Sequence, residues 1–169
     1  MRRRVYGPDN LHTLDAEERL ANARGFRGSN AEDQRKALAT LRRVYVLRVQ
    51  NQGREAEKTR ETSAHLGVML IMQGLPQQAE ALMRESWPAC QRVFGPMHLE
   101  SCKAAVTLFD ALFFQHKFKE AREHYAQILP PIRRTLGPAH YLTPYLENDG
   151  RTKMSHHEGE VVCARVAKH

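Results

Sequence analysis

The sequence predicts an all-α fold, in which antiparallel helix pairs stack into a right-handed superhelix with about three repeats and a partial fourth. The first observation is an internal repeat, since Gly53, Gly95 and Gly137 lie 42 residues apart. The second is that apolar residues between these glycines follow the period of a helix. Units of this kind bury their apolar faces against neighbouring units rather than around one central core.

The 42-residue register also holds for alanine, hydroxyl, leucine and histidine positions. The matching sets are Ala37, Ala79 and Ala121; Thr59, Ser101 and Thr143; Leu66 and Leu108; and His98 and His140. Gly7 precedes Gly53 by 46 residues, so the first unit carries four extra residues. We expect the segment Gly25–Asn30 to absorb them as a longer turn.

Each unit is predicted to contain two helices. In the first unit they run over about residues 11–24 and from a cap at Asn30 or Ser29 to the next repeated glycine. Acidic residues in the first turns should favour the start of the first helix, and Leu14 and Leu20 are expected on its packing face. Pro88 and Pro130 recur inside the second helix of their units, where a proline should bend or break the helix.

Two recurring phrases resemble tetratricopeptide repeats, and specifically the longer-period repeats of kinesin light chains. The phrase that links units is Gly95-Pro96-Met97-His98, repeated as Gly137-Pro138-Ala139-His140. The phrase that turns the hairpin is Gln73-Gly74-Leu75-Pro76-Gln77-Gln78-Ala79-Glu80, with a variant at Gln115-His116-Lys117-Phe118-Lys119-Glu120-Ala121-Arg122. The resemblance covers roughly residues 5–146 and implies a tetratricopeptide-like α-solenoid.

The third unit departs from this pattern. Phe109 stands where the first two units have Ala21 and Gly67, so we expect the third hairpin to open or its neighbour to shift. A carboxylate clamp, which some tetratricopeptide proteins use to hold chaperone tails, is not expected either. Its five positions would fall on Glu18, Asn22, His65, Lys103 and Thr107, of which only Asn22 and Lys103 match.

The resemblance implies that the first helix of each unit lines a concave face. The predicted peptide-binding groove contains Glu18, Asn22, Glu61, His65, Val68, Met72, Lys103, Val106, Thr107, Asp110 and Phe114. This mixture of apolar and polar side chains suits a peptide laid across the helices. The alternative is an ordinary hydrated surface that binds no ligand.

The expected function is a non-catalytic scaffold or adaptor for a partner protein or peptide. The sequence contains no glycine-rich phosphate loop, nucleophile motif or paired carboxylates, so we expect no enzyme activity, no catalytic residue and no cofactor. His156, His157, Cys163 and His169 match no usual spacing of zinc ligands, so no metal site is expected.

The net charge of +7 and the pI near 9.6 favour an acidic partner. A basic helical-repeat module for RNA is the alternative from a different class, and the pairs Arg42-Arg43 and Arg133-Arg134 support it. Another alternative is a helical fragment of a larger multidomain protein. Association through the array ends also remains open, because neither terminal unit shows an obvious polar cap.

The repeat array is expected to occupy residues 1–148, followed by a C-terminal tail over residues 149–169. We expect this tail to be flexible, because it shares nothing with the 42-residue register. The three cysteines are odd in number and have no zinc-like spacing, which favours a reduced, cytoplasmic protein. No apolar run approaches the ~18 residues of a membrane span, so no membrane association is expected.

Overall fold

A computed structural model describes Gly7, residues 10–27 and residues 30–150, and of Arg27, Asp149 and Gly150 it describes only the backbone. These residues form helices and turns, and no strand occurs among them. The helices are α1 (Leu11–Arg27), α2 (Ala31–Gln52), α3 (Glu57–Met72), α4 (Pro76–Phe94), α5 (Leu99–Phe114), α6 (Phe118–Leu136) and α7 (Leu142–Pro144), and a π-helical segment, Tyr145–Gly150, follows α7.

The helices pack in the order of the chain, which confirms the predicted all-α solenoid. α1 packs on α2, α3 on α4 and α5 on α6, and the second helix of each pair also packs on the first helix of the next. The apolar core accordingly forms two clusters along the stack. One lies between α1, α2, α3 and α4 with a contribution from α5, and the other lies between α4, α5, α6 and the fourth-unit segment. Each unit is thus stabilised by its neighbours.

The repeated glycines end α2, α4 and α6. Gly53, Gly95 and Gly137 have φ values of 83°, 93° and 76°, a region that side chains with a Cβ rarely adopt. The N–H of each glycine donates to the carbonyl four residues earlier, at 3.0 Å in the case of Gly53 and Val49. A helix can therefore end at these positions with a sharp change of direction, and this explains why glycine recurs there.

The Gly-Pro-x-His phrase acts together with the hydroxyl residue that follows it. Ser101 Oγ donates to the carbonyl of Gly95, and Thr143 Oγ1 donates to that of Gly137, each over 2.7 Å. His98 is the N-cap residue of α5, and its Nδ1 accepts a hydrogen bond from a backbone N–H two residues on. The phrase and the hydroxyl residue therefore supply hydrogen-bond partners for backbone carbonyl and N–H groups between two helices.

The glutamine of the hairpin turn joins successive units. Gln73 Nε2 donates to Gln34 Oε1 over 2.9 Å, and Gln115 Nε2 donates to the carbonyl of Pro76 over 3.2 Å. In both cases the acceptor lies near the start of the second helix of the preceding unit. These bonds help to set the stacking of one unit on the next.

Glu80 in α4 adds further hydrogen bonds to the contact that Gln115 makes between the second and third units. Its carboxylate accepts hydrogen bonds from Lys117 Nζ at 2.7 Å, Arg84 Nη2 at 2.7 Å and Gln115 Nε2 at 2.6 Å. Burial by itself would raise the pKa of Glu80, but these three donors outweigh it and lower the pKa to about 2. The ionised carboxylate therefore stabilises the folded chain.

The hydrogen bonds of Glu80 should make the free energy of unfolding depend on pH in the acid range. Because the pKa of Glu80 is depressed in the folded state, its contribution is present above pH 4.5 and is lost as the pH falls towards 2. In urea titrations at a series of pH values, Glu80→Gln should remove about 1–3 kcal/mol of this pH dependence. Glu120→Gln, at an exposed carboxylate that binds Arg84, should retain most of it. Identical acid profiles for wild type and Glu80→Gln would contradict the assignment.

The first unit differs from its predicted boundaries. α1 continues through Gly25 to Arg27, so the longer turn expected over Gly25–Asn30 is wrong in its first half. Gly25 is buried in a helix, and a Cβ there would lie 3.0 Å from Ala37 Cβ and collide with the end of Met69. This glycine allows α1 to pack closely on α2 and α3. The cap at Asn30 is confirmed, since its side chain accepts the N–H of Asp33 at 2.7 Å.

Leu20 was expected on the packing face, and this is wrong. The side chains at the same register position in the next two units, Leu66 and Leu108, are 5% and 4% exposed because each packs near the second helix of the preceding unit. Leu20 is 49% exposed, and among the described residues no preceding helix covers it. Glu17 and Arg24 flank it, so this end of the array is more polar than expected.

Neither Pro88 nor Pro130 breaks its helix, because α4 and α6 continue through them.

Phe109 is fully buried against Tyr125, with ring centroids 5.6 Å apart, and α5 packs on α6 less extensively than α3 packs on α4. This agrees with the expected opening of the third hairpin.

The partial fourth unit comprises α7 and the π-helical segment. Leu142, Thr143 and Leu146 are buried, and Tyr125 Oη donates to the carbonyl of Leu146 over 3.2 Å. The predicted tail, residues 149–169, lies outside the described residues apart from the backbone of its first two.

Candidate functional site

A groove of about 490 Å³ lies across the first helices of the successive units. α3 and α5 provide most of its surface, α1 contributes one phenylalanine, and the fourth unit contributes a further wall. The lining residues are Phe26, Ala64, His65, Val68, Lys103, Val106, Thr107, Asp110, Tyr141, Leu142 and Tyr145.

Six of the eleven sequence-predicted groove residues meet in this lining: His65, Val68, Lys103, Val106, Thr107 and Asp110. Glu18, Asn22, Glu61, Met72 and Phe114 do not line it. The prediction also missed five lining residues, although the register contained the information for three of them. Ala64 is equivalent to Val106, Tyr145 follows Lys103 by 42 residues, and Phe26 is equivalent to Met72.

Glu18 lies beneath the groove surface rather than on it. It is 6% exposed, and its Oε2 accepts a hydrogen bond from Arg48 Nη2 at 2.8 Å. The same nitrogen of Arg48 lies 2.6 Å from Asp15 Oδ1, and Arg48 itself is 1% exposed. A buried carboxylate requires such a partner, so Glu18 belongs to an ionic cluster between α1 and α2 and is not an open contact for a peptide.

The buried cluster also positions a groove residue. His65 Nδ1 lies 2.9 Å from Glu18 Oε1, and Asn22 Nδ2 lies 3.1 Å from the same ring nitrogen. Because a carboxylate only accepts hydrogen bonds, the contact with Glu18 requires a proton on Nδ1 of His65, and Asn22 Nδ2, itself a donor, then does not donate to that nitrogen. Arg48, Glu18 and His65 therefore form a continuous path from the interior of the first unit to the groove.

The polar groups of the lining are held by neighbouring side chains or backbone. Lys103 Nζ lies 2.7 Å from Glu100 Oε1, and Tyr145 Oη donates to Asp110 Oδ1 over 2.7 Å. The Thr107 hydroxyl donates to the backbone carbonyl of Lys103. These contacts give the groove fixed polar positions around an apolar surface, an arrangement typical of binding sites.

A row of exposed apolar side chains accompanies the groove. Phe26, Met72 and Phe114 occupy the same register position in three successive units, and all three are exposed. Tyr141 is exposed at the fourth unit. Phe26 and Tyr141 both line the groove, and exposed apolar surface on a folded domain often marks a site of interaction.

The described residues suggest neither a metal site nor a membrane span. In the part of the chain that the structure describes, no group of three or more His, Cys, Asp or Glu side chains is placed to hold a metal ion. The histidine and cysteine cluster considered in the sequence, residues 156–169, lies outside that part. Nor is any helix within residues 10–27 and 30–150 both long and apolar enough to cross a membrane.

Residues 59–100 match the family model for the tetratricopeptide repeat. The match begins in the first turn of α3 and ends in the first turn of α5, so it covers one period of the 42-residue register. No curated protein matches the chain. Together with the stacked helix pairs, the match supports a tetratricopeptide repeat protein, and such repeats typically serve as non-catalytic modules for protein interaction.

Proposed function

We propose that the chain is a scaffold or adaptor without catalytic activity, and that its groove holds a segment of a partner protein, as in kinesin light chain-like repeat domains. The groove of about 490 Å³ carries this proposal. Its apolar surface and fixed polar groups come from three successive units and the fourth-unit wall. A segment laid across the units would therefore contact all of them at once.

The partner segment should combine apolar side chains with carboxylates. Val68 and Val106 offer apolar surface from adjacent helices, and Lys103 places an ammonium group in the same lining. The net charge of +7 would steer an acidic partner towards the chain, and this steering would weaken as salt screens it. Most of the binding free energy should come from the apolar contacts, because exposed charge pairs contribute little.

Three of the four arginines in the pairs that favoured RNA bind side chains of the chain itself. Arg42 Nη2 donates to Gln78 Oε1 at 2.6 Å, and Arg43 Nη2 lies 2.9 Å from Glu17 Oε2. In the third unit, Arg133 Nε lies 3.4 Å from Glu147 Oε1. Phosphate groups would compete with these partners, whereas the apolar contacts expected to supply most of the binding free energy in the groove face no such competition, so the protein-binding proposal is preferred.

A substitution in the groove should abolish capture of the partner. A photo-crosslinking residue at Met72 in the full chain would attach to the bound protein, and mass spectrometry would identify the attached segment. Adding Val68→Glu to that chain should reduce the crosslinked product at least about tenfold, because a carboxylate would be buried against the partner's apolar side chains. The matched control, Val46→Glu on an exposed site of α2, should leave it unchanged.

Kinetic measurements on the purified chain and its partner separate the effect of electrostatic steering on association from the effect of apolar contacts on dissociation. Lys103→Glu should slow association modestly, whereas Phe114→Ala should mainly speed dissociation. If Lys103→Glu and Phe114→Ala both have no effect while Arg42 and Arg133 variants abolish binding with a steep salt dependence, the RNA-binding alternative replaces the proposal.

We also propose a cytoplasmic location for the chain. Cys90 and Cys102 are free thiols in the second core cluster, and a reducing compartment preserves thiols in this state.

A further inference from the structure

The groove lies next to the point where the described chain ends. Tyr145 lines the groove and starts the π-helical segment Tyr145–Gly150. Its hydroxyl is bonded to Asp110 of α5, and this bond holds the segment against the groove. Gly150 is therefore the end of a segment that starts in the groove's own wall.

The chain beyond Gly150 contains one stretch whose chemistry matches the groove. Residues 158–163 read Glu-Gly-Glu-Val-Val-Cys, so two carboxylates directly precede two apolar side chains. The groove offers Lys103 and His65 beside Val68 and Val106. A carboxylate near Lys103 and a valine over the apolar surface would each meet a complementary group.

The connecting segment is long enough for this placement. Seven residues, 151–157, separate Gly150 from Glu158, and in extended conformation they span up to about 25 Å. Crossing from the fourth unit over α5 to α3 requires two helix spacings, or about 20 Å. The short linker also gives the stretch an effective concentration on the order of millimolar at the groove, so weak contacts would suffice to occupy it.

We propose that residues 158–163 of the chain's own C-terminal tail occupy the groove, and that a partner must displace them to bind. The inference rests on the groove of the proposed function but assigns it a different occupant, one present in every copy of the chain. The exposed side chains of Phe26 and Tyr141, which line the groove, would be covered by this segment.

A nitroxide label on Cys163 of the full chain tests the proposal without any partner. Cys90 and Cys102 are buried, and burial raises the pKa of Cys90 to about 11 and also raises that of Cys102, so their reactive thiolates are scarce at neutral pH. The label should broaden the methyl NMR signals of Val68 and Val106 to less than about half their intensity, whereas Val46 on α2 should keep its own. A Cys163→Ser chain treated in parallel reports any labelling of the two buried thiols.

Two further samples decide the interpretation. Val161→Ser with Val162→Ser, labelled at the same Cys163, should restore the Val68 and Val106 signals. A mixture of nitroxide-labelled chain and methyl-labelled chain without nitroxide should show no broadening. Equal broadening at Val46, unchanged broadening in the double variant, or broadening in the mixture would each overturn the proposal, the last in favour of a second copy in the groove. Because the NMR experiment contains no partner, a negative result does not affect the proposed scaffold function. Conversely, loss of partner capture in the crosslinking experiment does not affect the proposed binding of residues 158–163.

Discussion

Replacing Arg48 with methionine should lower the free energy of unfolding by about 3–5 kcal/mol, the range observed when one member of a buried ion pair is removed. Arg48 is 1% exposed, and its guanidinium binds both Asp15 and Glu18. Without it, the buried Glu18 carboxylate would lose its cationic partner. Urea denaturation followed by circular dichroism measures the loss.

A double-mutant cycle tests the cause of that loss. Glu18→Gln combined with Arg48→Met should cost much less than the sum of the single substitutions, because the double variant leaves no uncompensated charge at Glu18. Arg43→Met is the matched control, since Arg43 binds Glu17 at a more exposed site and the pair should contribute at most about 1 kcal/mol. Additive effects in the cycle would show that Arg48 stabilises the fold without Glu18.

Leu66→Ala and Leu108→Ala should each lower the free energy of unfolding by about 2–5 kcal/mol. Both side chains lie in core clusters between successive units, so their removal would leave cavities at the interfaces that hold the array together. The chain offers its own control, because Leu20 stands at the same register position in the first unit and is 49% exposed. Leu20→Ala should cost less than about 1 kcal/mol.

The measurement is thermal and urea unfolding of the three single variants beside wild type. Similar losses for all three would show that the register position itself, rather than burial between units, determines the effect. A nearly neutral Leu66→Ala or Leu108→Ala would contradict the packing between units.

The unit boundaries could be predicted because they depend on local chemistry. Gly53, Gly95 and Gly137 each end a helix with positive φ, and Ser101 and Thr143 bond to carbonyl groups six residues earlier. Such requirements act within a few residues and recur wherever a unit recurs, so they leave a readable period in the sequence. Six of the residues that the same period predicted for a groove line one surface of the structure, and what they bind is a proposal.

Errors arose where neighbouring units decide the environment of a residue. Gly25 looked like a turn residue, but it is needed for the close approach of Ala37 and Met69. Leu20 looked like a core residue by its register, yet its burial would require a preceding helix, which the described residues do not supply. Both residues lie within α1, and only their surroundings in the fold distinguish their roles.

The sequence by itself determined the helix pairs, their order and the glycines that end α2, α4 and α6, because helix caps, turns and apolar periodicity are local properties. Only the tertiary structure decided that Glu18 lies beneath the groove, where Arg48 holds it and it orients His65. In the sequence these charges resemble any solvated helix face. They become a buried cluster only when α1, α2 and α3 converge, since burial removes water and leaves each charge dependent on partners from other helices.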